Sequence, residues 1–232
     1  NCRLLQIHRR NEVNGRNALN LLLLAGLLTL LSFSQLPRVV HEIVGVLMPA
    51  AILAHLGYAR GWLRGLTRGR WTVRRMLGAV LNALLALNAA TVLVTGVMAS
   101  NFLFIELVPL ELHRNLALHQ LHTALGWSMP ILVGLHIGLH GAALWQRFTH
   151  RFGILREARR ARLVCGGLAL LTMLLGIYAS VLNRVGDRLR MEHIFATEAA
   201  ALPGMIFALF ILAMIGMYAV LGAGFAALIG KK

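Results

Sequence analysis

The sequence predicts an all-α integral membrane protein with six transmembrane helices, and three observations lead to that prediction. Hydrophobic residues make up 58% of the chain and charged residues only 13%, which is far more apolar than an average soluble domain. Several apolar runs reach the ~20 residues needed to cross a hydrocarbon core of ~30 Å. The positive charges also gather between alternate runs. Because helices satisfy their own backbone groups in lipid, we expect a helical bundle.

The six predicted spans share their length and their lack of charge, and short polar stretches separate them. They are Ala18–Ser34, Val39–Tyr58, Met76–Ser100, Leu116–Trp145, Leu163–Leu182 and Ala200–Ile229. The first is not expected to be a cleaved signal peptide, because no small-residue cleavage site follows it and the next apolar run begins within about five residues.

The net charge of +15 has a topological explanation. With six spans, 18 of the 23 Lys and Arg residues fall on one side of the membrane. The five on the other side are Arg38, Arg114, Arg184, Arg188 and Arg190. This positive-inside pattern predicts that both termini are cytoplasmic. Membrane lipid headgroups, rather than nucleic acid, are therefore the expected contacts of the basic residues.

Two seventeen-residue stretches in the second and fourth predicted spans are similar. From residue 41 the chain reads HEIVGVLMPAAILAHLG, and from residue 122 it reads HTALGWSMPILVGLHIG. The residues that agree are His41 with His122, Gly45 with Gly126, Met48 with Met129, Pro49 with Pro130, His55 with His136 and Gly57 with Gly138.

The two histidines of each stretch lie 14 residues apart. On an α-helix this is a rise of about 21 Å and a return to within about 40° of the same azimuth. Because the two spans run in the same direction, we expect His41 and His122 at one depth (the outer pair) and His55 and His136 at another (the inner pair). Intramembrane ionisable residues are costly and need partners. A haem iron takes one imidazole on each side, so the pattern predicts two b-type haems, one held by each pair.

The glycines and prolines of the two stretches fit a flat cofactor. Gly45 and Gly126 lie one turn from the outer pair, where the missing Cβ lets a macrocycle approach the backbone. Pro49 and Pro130 lie in the middle of their predicted helices, and each is expected to bend its helix and open room for the cofactor.

Four further residues near the histidines have plainer interpretations. His119 and His140 lie near the same helix face as His122 and His136, but 14 residues from each there is no partner histidine. We expect them to donate hydrogen bonds to groups around the haems, to contact propionates or to lie at helix interfaces. Met48 and Met129 lie between the two haem levels and are expected to pack, because imidazole already fills every axial position.

Haem propionates are anionic and need cationic or donor partners near the membrane surfaces. Arg38 and Arg114 are placed for the outer haem, and Arg60 and Arg74 for the inner one. The alternative is that these arginines only anchor the ends of their helices, as arginines in such positions commonly do.

These residues are similar to a known group. His-x13-His on two parallel helices, with glycine one turn from the first histidine, resembles the di-haem membrane cytochrome b family. The family includes the haem-binding helices of the bc-complex cytochrome b and the cytochrome b subunits of bacterial formate dehydrogenases and hydrogenases. The resemblance covers about residues 39–146. It implies bis-histidine b-type haems, an electron path across the bacterial cytoplasmic (inner) membrane, and in many cases a quinone site beside one haem.

The sequence divides into three expected regions. Residues 1–146 form a four-helix di-haem bundle made of a duplicated hairpin, 147–162 form a basic cytoplasmic loop, and 163–232 form two further spans whose role the sequence does not indicate.

The expected function is electron transfer between a quinone pool and a redox partner, as one subunit of a larger oxidoreductase complex. The chain lacks a catalytic domain of its own, so we expect a non-catalytic or quinone-reactive subunit. The alternative is a haem-free transporter, or a proton or metal channel, that uses the intramembrane histidines. The apolar stretches between the two histidine levels argue against a water-filled route.

Overall fold

A computed structural model describes residues 2–67, 71–152, 159–192 and 197–229, with backbone alone for 2–12, 142–152 and 159–162. The described residues are helical, with short connections and no strand. The prediction of an all-α protein is therefore confirmed. The chain divides into two compact units, residues 1–70 and 71–232.

The first unit is a helical hairpin. Its helices are α1 (Cys2–Leu31), α2 (Arg38–Tyr58) and the short α3 (Arg60–Gly65). α1 and α2 pack against each other. They approach closely at Gly26, where a Cβ would stand 2.5 Å from the sulfur of Met48. Met48 therefore packs over the backbone of α1, as expected for a packing residue.

The second unit contains the remaining long helices. They are α4 (Val73–Met98), α6 (Leu116–Phe152), α7 (Arg159–Leu182) and α9 (Gly204–Ile229). Short helices α5 (Leu110–His113) and α8 (Val185–Leu189), and a 3₁₀ helix (Glu198–Ala201), connect them. α6 packs against both α4 and α9, and α7 packs against α9. The most buried side chains of α9, Ile211 and Met214, are fully enclosed in this unit.

Glycines bring α6 and α9 into backbone contact. A Cβ on Gly134 would lie 2.5 Å from the carbonyl oxygen of Ile215, and one on Gly138 would collide with the carbonyl oxygen of Ala219. On α9, a Cβ on Gly222 would stand 2.9 Å from the carbonyl oxygen of Leu135. Small residues at such spacing let membrane helices approach closely, and this packing replaces the hydrophobic effect that lipid does not supply.

Five helical segments are long and apolar enough to cross a membrane. They are Val13–Leu31, Arg38–Tyr58, Val73–Met98, Leu163–Leu182 and Gly204–Ile229. The protein is therefore a multi-pass membrane protein, and five of the six predicted spans overlap these segments. The fourth predicted span, Leu116–Trp145, lies within α6. α6 is long enough to cross a membrane but is not among the five segments that are also apolar enough. It carries four histidines before residue 145, and these polar residues reduce its apolarity.

The outward faces of these helices suit a lipid environment. Leu53, Leu163 and Leu228 are 67%, 68% and 69% exposed. Large apolar side chains that are this exposed are expected where hydrocarbon covers the helices. The predicted basic loop, 147–162, includes residues 153–158, which lie outside the described residues, and the rest of it is described by its backbone alone.

Candidate functional site

In the first unit, both histidines of α2 are directed towards α1. The Nδ1 atom of His41 lies 2.9 Å from the backbone carbonyl oxygen of Leu30. The Nδ1 atom of His55 lies 3.1 Å from Oδ1 of Asn20. A carbonyl or amide oxygen only accepts hydrogen bonds, so each Nδ1 carries the proton. A neutral imidazole then has its lone pair on Nε2, which is one of the two ring nitrogens that can ligate a metal.

In the second unit, both aligned histidines of α6 are directed towards α4. The Nδ1 atom of His136 lies 2.8 Å from Oδ1 of Asn82. The Nδ1 atom of His122 lies 3.1 Å from Oγ1 of Thr95. The Thr95 hydroxyl is 2.8 Å from the carbonyl oxygen of Thr91, to which it donates its hydrogen. It therefore accepts from His122, and both histidines have their lone pair on Nε2.

The same local arrangement thus occurs in each unit. A helix is followed by an antiparallel partner that carries two histidines, and the first helix supplies a hydrogen-bond acceptor to the Nδ1 of each. The acceptor is an amide side chain for both members of the inner pair. For the outer pair it is a backbone carbonyl in one unit and a hydroxyl in the other. Metal-ligating histidines in proteins are commonly oriented by such a bond from the non-ligating nitrogen.

The two predicted glycines have different surroundings. Outside its own helix, no atom of the described chain lies within 4 Å of the position that a Cβ on Gly126 would take. A Cβ on Gly45 would meet only Leu30 Cδ2, at an ordinary contact distance of 3.7 Å. Gly126 therefore offers open space one turn from His122. A further glycine matters on α4, because a Cβ on Gly96 would stand 3.0 Å from Cε1 of His122.

The two prolines lie inside continuous helices. Pro49 is within α2 and Pro130 within α6, where Pro130 is fully buried. Proline has no N–H, so the carbonyl four residues earlier loses its helical donor. Those carbonyls belong to Gly45 and Gly126, the same glycines that were predicted to lie beside the cofactor.

The four predicted propionate arginines are exposed. Arg38 begins α2, Arg60 begins α3, and Arg114 follows α5. Arg74 lies in the first turn of α4, and its guanidinium donates to the carbonyl oxygen of Leu139 at 3.2 Å. Arg74 thus lies within one helical turn of the His136 level, and a role for any of these arginines in propionate binding stays a prediction.

The other two histidines of α6 occupy separate positions. Nε2 of His119 donates to the backbone carbonyl oxygen of His113 at 2.7 Å, which ties the start of α6 to α5. The ring of His140 meets that of His136 edge to face, with 4.9 Å between the ring centroids. His119 is therefore an interface residue, and His140 a direct neighbour of a candidate ligand.

The acceptors of the histidines were not predicted from the sequence. Asn20, Asn82 and Thr95 lie between 27 and 54 residues from their histidines along the chain. The signal that could have found them is the presence of amide side chains in otherwise apolar spans, because polar groups there need partners.

Within the described part of the chain, no three or more His, Cys, Asp or Glu side chains are grouped so that they could hold a metal ion. A haem iron takes only two axial imidazoles, so the ligation of haem by the aligned histidines stays a prediction. Comparison of the chain with protein-family models, with curated proteins and with solved structures finds no match.

Proposed function

We propose that this protein is a b-type di-haem electron-transfer subunit of the bacterial cytoplasmic membrane. It would pass electrons across the membrane between a quinone pool and a redox partner within a larger oxidoreductase complex. The observation that carries the proposal is the hydrogen-bonding pattern that the four aligned histidines share. Each donates Nδ1–H to an acceptor on the preceding helix, so each has its lone pair on Nε2.

His41 and His122 would ligate the outer haem iron through Nε2, and His55 and His136 the inner one. Their sequence register supports this pairing, because both pairs recur at the same 14-residue spacing. A bis-imidazole haem supplies one-electron chemistry without an open coordination site. The chain itself contributes ligation, a fixed ring tautomer and an apolar surrounding.

The residues near the histidines suit a macrocycle with two anionic propionates. A Cβ on Gly126 would meet no described atom, and one on Gly45 would meet only Leu30 at an ordinary contact distance. Each glycine therefore leaves room beside the outer histidine of its own unit. Arg38 and Arg114 would bind the propionates of the outer haem, and Arg60 and Arg74 those of the inner one. Their positions at helix ends allow the guanidinium groups to stay hydrated while the histidines lie within the apolar segments.

We further propose that α6 is the sixth span, with both termini in the cytoplasm. At 37 residues α6 is about 55 Å long, which exceeds a hydrocarbon core of ~30 Å. Histidines that ligate iron are neutral and bonded at both nitrogens, which removes most of their cost in lipid. α7 and α9 add two spans to the same unit, where quinone or another subunit could dock.

The test is a reduced-minus-oxidised absorption spectrum of the purified protein, with haem counted per chain by the pyridine haemochrome assay. We expect two b-type haems. Single His41→Ala, His55→Ala, His122→Ala and His136→Ala variants should each lose one of them.

His119→Ala is the matched control, because it removes an imidazole of α6 that is bonded to the backbone carbonyl of His113 in α5, and it should keep both haems. A folded wild-type protein that stays colourless after haem supplementation would contradict the proposal. A variant series in which His119→Ala loses as much haem as the four candidate ligands would contradict the ligand assignment.

A further inference from the structure

We infer that Asn20 and Asn82 are positioning residues that lower the reduction potential of the haem held by the inner pair. Each holds one inner histidine in the Nδ1–H tautomer and strengthens Nε2 as an electron donor to iron. The inference rests on the proposed function and adds to it two residues that touch neither the iron nor the porphyrin.

The two contacts are alike in chemistry and in place. Asn20 lies in α1 and reaches His55 in α2, with 3.1 Å between Oδ1 and Nδ1. Asn82 lies in α4 and reaches His136 in α6, with 2.8 Å between the same two atoms. In each unit the amide comes from the helix that precedes the histidine helix. Both asparagines are half-buried in apolar helices. An unbonded amide oxygen there would be costly, and the contact satisfies that oxygen together with the ring N–H.

The acceptor has an electronic consequence. When Nδ1–H donates to a strong acceptor, the ring gains imidazolate character and Nε2 becomes a better σ-donor. A better donor stabilises ferric iron more than ferrous iron, so the reduction potential falls. Removal of the acceptor should therefore move the potential upward.

The two levels differ in their acceptors. Both inner histidines donate to a side-chain amide oxygen, whereas the outer pair donates to one backbone carbonyl and one hydroxyl. A backbone carbonyl cannot be changed by substitution, and a hydroxyl is a weaker acceptor than an amide. The inner level is therefore the one whose potential is set by two replaceable side chains.

The experiment is a potentiometric titration of the purified protein, followed through the haem absorption bands, with haem counted in each variant. Asn82→Leu and Asn20→Leu remove the acceptor with little change of side-chain volume. We expect each to keep two haems and to shift the midpoint of the same one upward, and the double variant to shift it further. Asn82→Gln keeps an amide acceptor and should recover part of the shift.

Asn88→Leu is the control. Asn88 lies on α4 like Asn82, but its amide donates to the backbone carbonyl of Leu125 at 3.0 Å rather than bonding to a histidine. It should leave both midpoints unchanged. Unchanged midpoints in both asparagine-to-leucine variants, or an equal shift in Asn88→Leu, would overturn the inference.

A readout without haem separates this inference from the proposed function. Nitrogen NMR of ¹⁵N-histidine-labelled, haem-free protein reports which ring nitrogen carries the proton. We expect Nδ1–H at His136 in the wild type and a loss of that tautomer in Asn82→Leu. An Nε2–H signal in the wild type would overturn the inference even if two haems bind. If the wild type binds no haem, the proposed function fails, and with it the effect on potential, whatever the NMR shows.

Discussion

Asn82 and His136 form a side-chain hydrogen bond of 2.8 Å between α4 and α6, in the middle of two apolar helices and across 54 residues of sequence. The bond gives each of two polar groups a partner within apolar helices, where an unpaired polar group is costly. Asn20 and His55 repeat it in the other unit. Each histidine helix is thus held in register with its preceding helix by bonds to imidazole, and the same bonds fix which ring nitrogen carries the proton.

The first prediction concerns Thr95, the acceptor of the outer histidine of α6. Thr95→Val replaces the hydroxyl by a methyl group of similar size, so His122 loses its acceptor at Nδ1. We expect the midpoint potential of one haem to rise and that of the other to stay. Because Thr95 is only 4% exposed, the unbonded ring nitrogen should also cost about 1–3 kcal/mol of unfolding free energy.

Thr91→Val is the control for that variant. The Thr91 hydroxyl donates within its own helix to the carbonyl oxygen of Leu87 at 2.9 Å and is not bonded to a histidine. Both midpoints should stay at their wild-type values. A Thr95→Val protein with two unshifted midpoints would show that the hydroxyl does not tune a haem.

The second prediction concerns the space beside Gly126. Gly126→Leu places a side chain one turn from His122, into the volume that the described chain leaves open. We expect the protein to fold and to lose the outer haem, because the leucine occupies the volume of the macrocycle. The haem count of the purified variant, beside its circular dichroism spectrum, measures both effects.

Gly141→Leu is the matched control for Gly126→Leu. Gly141 is on the same helix and also has no described atom within 4 Å of its Cβ position. It lies about 140° around the helix axis from His136, so it is not on the histidine face. Retention of two haems is the expected result for Gly141→Leu. Equal retention in both variants would mean that no macrocycle lies against Gly126.

The helices themselves follow closely from hydropathy. The predicted spans Val39–Tyr58 and Leu163–Leu182 end at the same residues as α2 and α7. The third predicted span, Met76–Ser100, begins three residues after α4 and ends two residues beyond it. A helix satisfies all of its backbone hydrogen bonds within one segment, so a long apolar run in lipid is expected to be helical over most of its length. α5, α8 and the 3₁₀ helix were not predicted, because four or five residues carry too little periodicity to be recognised.

The surroundings of the candidate histidines could be predicted only in part. The 14-residue spacing identified four histidines, and all four proved to have the same hydrogen-bonding role within their units. Their acceptors depend on which residues of two distant helices meet, and helix packing in lipid is decided by close contacts such as that of Gly96 with the ring of His122. No local pattern in a single sequence indicates how two distant helices align, so these acceptors could not be predicted.

The third prediction concerns α8, the short helix that follows α7. Arg188 lies 4.9 Å from the ring centroid of the buried Trp127, and its Nε donates to the carbonyl oxygen of the buried Asn183 at 2.9 Å. Burial lowers the pKa of Arg188, and the charge of Arg184 acts in the same direction. We expect Arg188→Ala to cost about 1–3 kcal/mol of unfolding free energy, from the lost charged hydrogen bond and cation–π contact.

Arg184→Ala is the comparison for Arg188→Ala. Arg184 pairs with Asp187 at 2.7 Å, but its side chain is 52% exposed. An exposed pair of this kind should contribute less than about 1 kcal/mol. Unfolding in detergent–denaturant mixtures measures both variants. If Arg184→Ala costs as much as Arg188→Ala, the buried contacts of Arg188 do not stabilise this turn.

The fourth prediction concerns the backbone contact between α6 and α9. Gly138→Ala would place its Cβ against the carbonyl oxygen of Ala219 and 2.9 Å from Cα of Gly222, atoms that cannot rotate away. We expect it to cost about 1–3 kcal/mol of unfolding free energy through overpacking. Gly141→Ala meets no described atom within 4 Å, so it should be neutral or stabilise by up to about 1 kcal/mol through helix propensity. Because Gly134 and Gly138 lie on the side of α6 opposite His122 and His136, Gly138→Ala should lower stability while the haem absorption bands of the folded fraction stay unchanged. A change of those bands at full folding would show that the contact with α9 also positions the histidines.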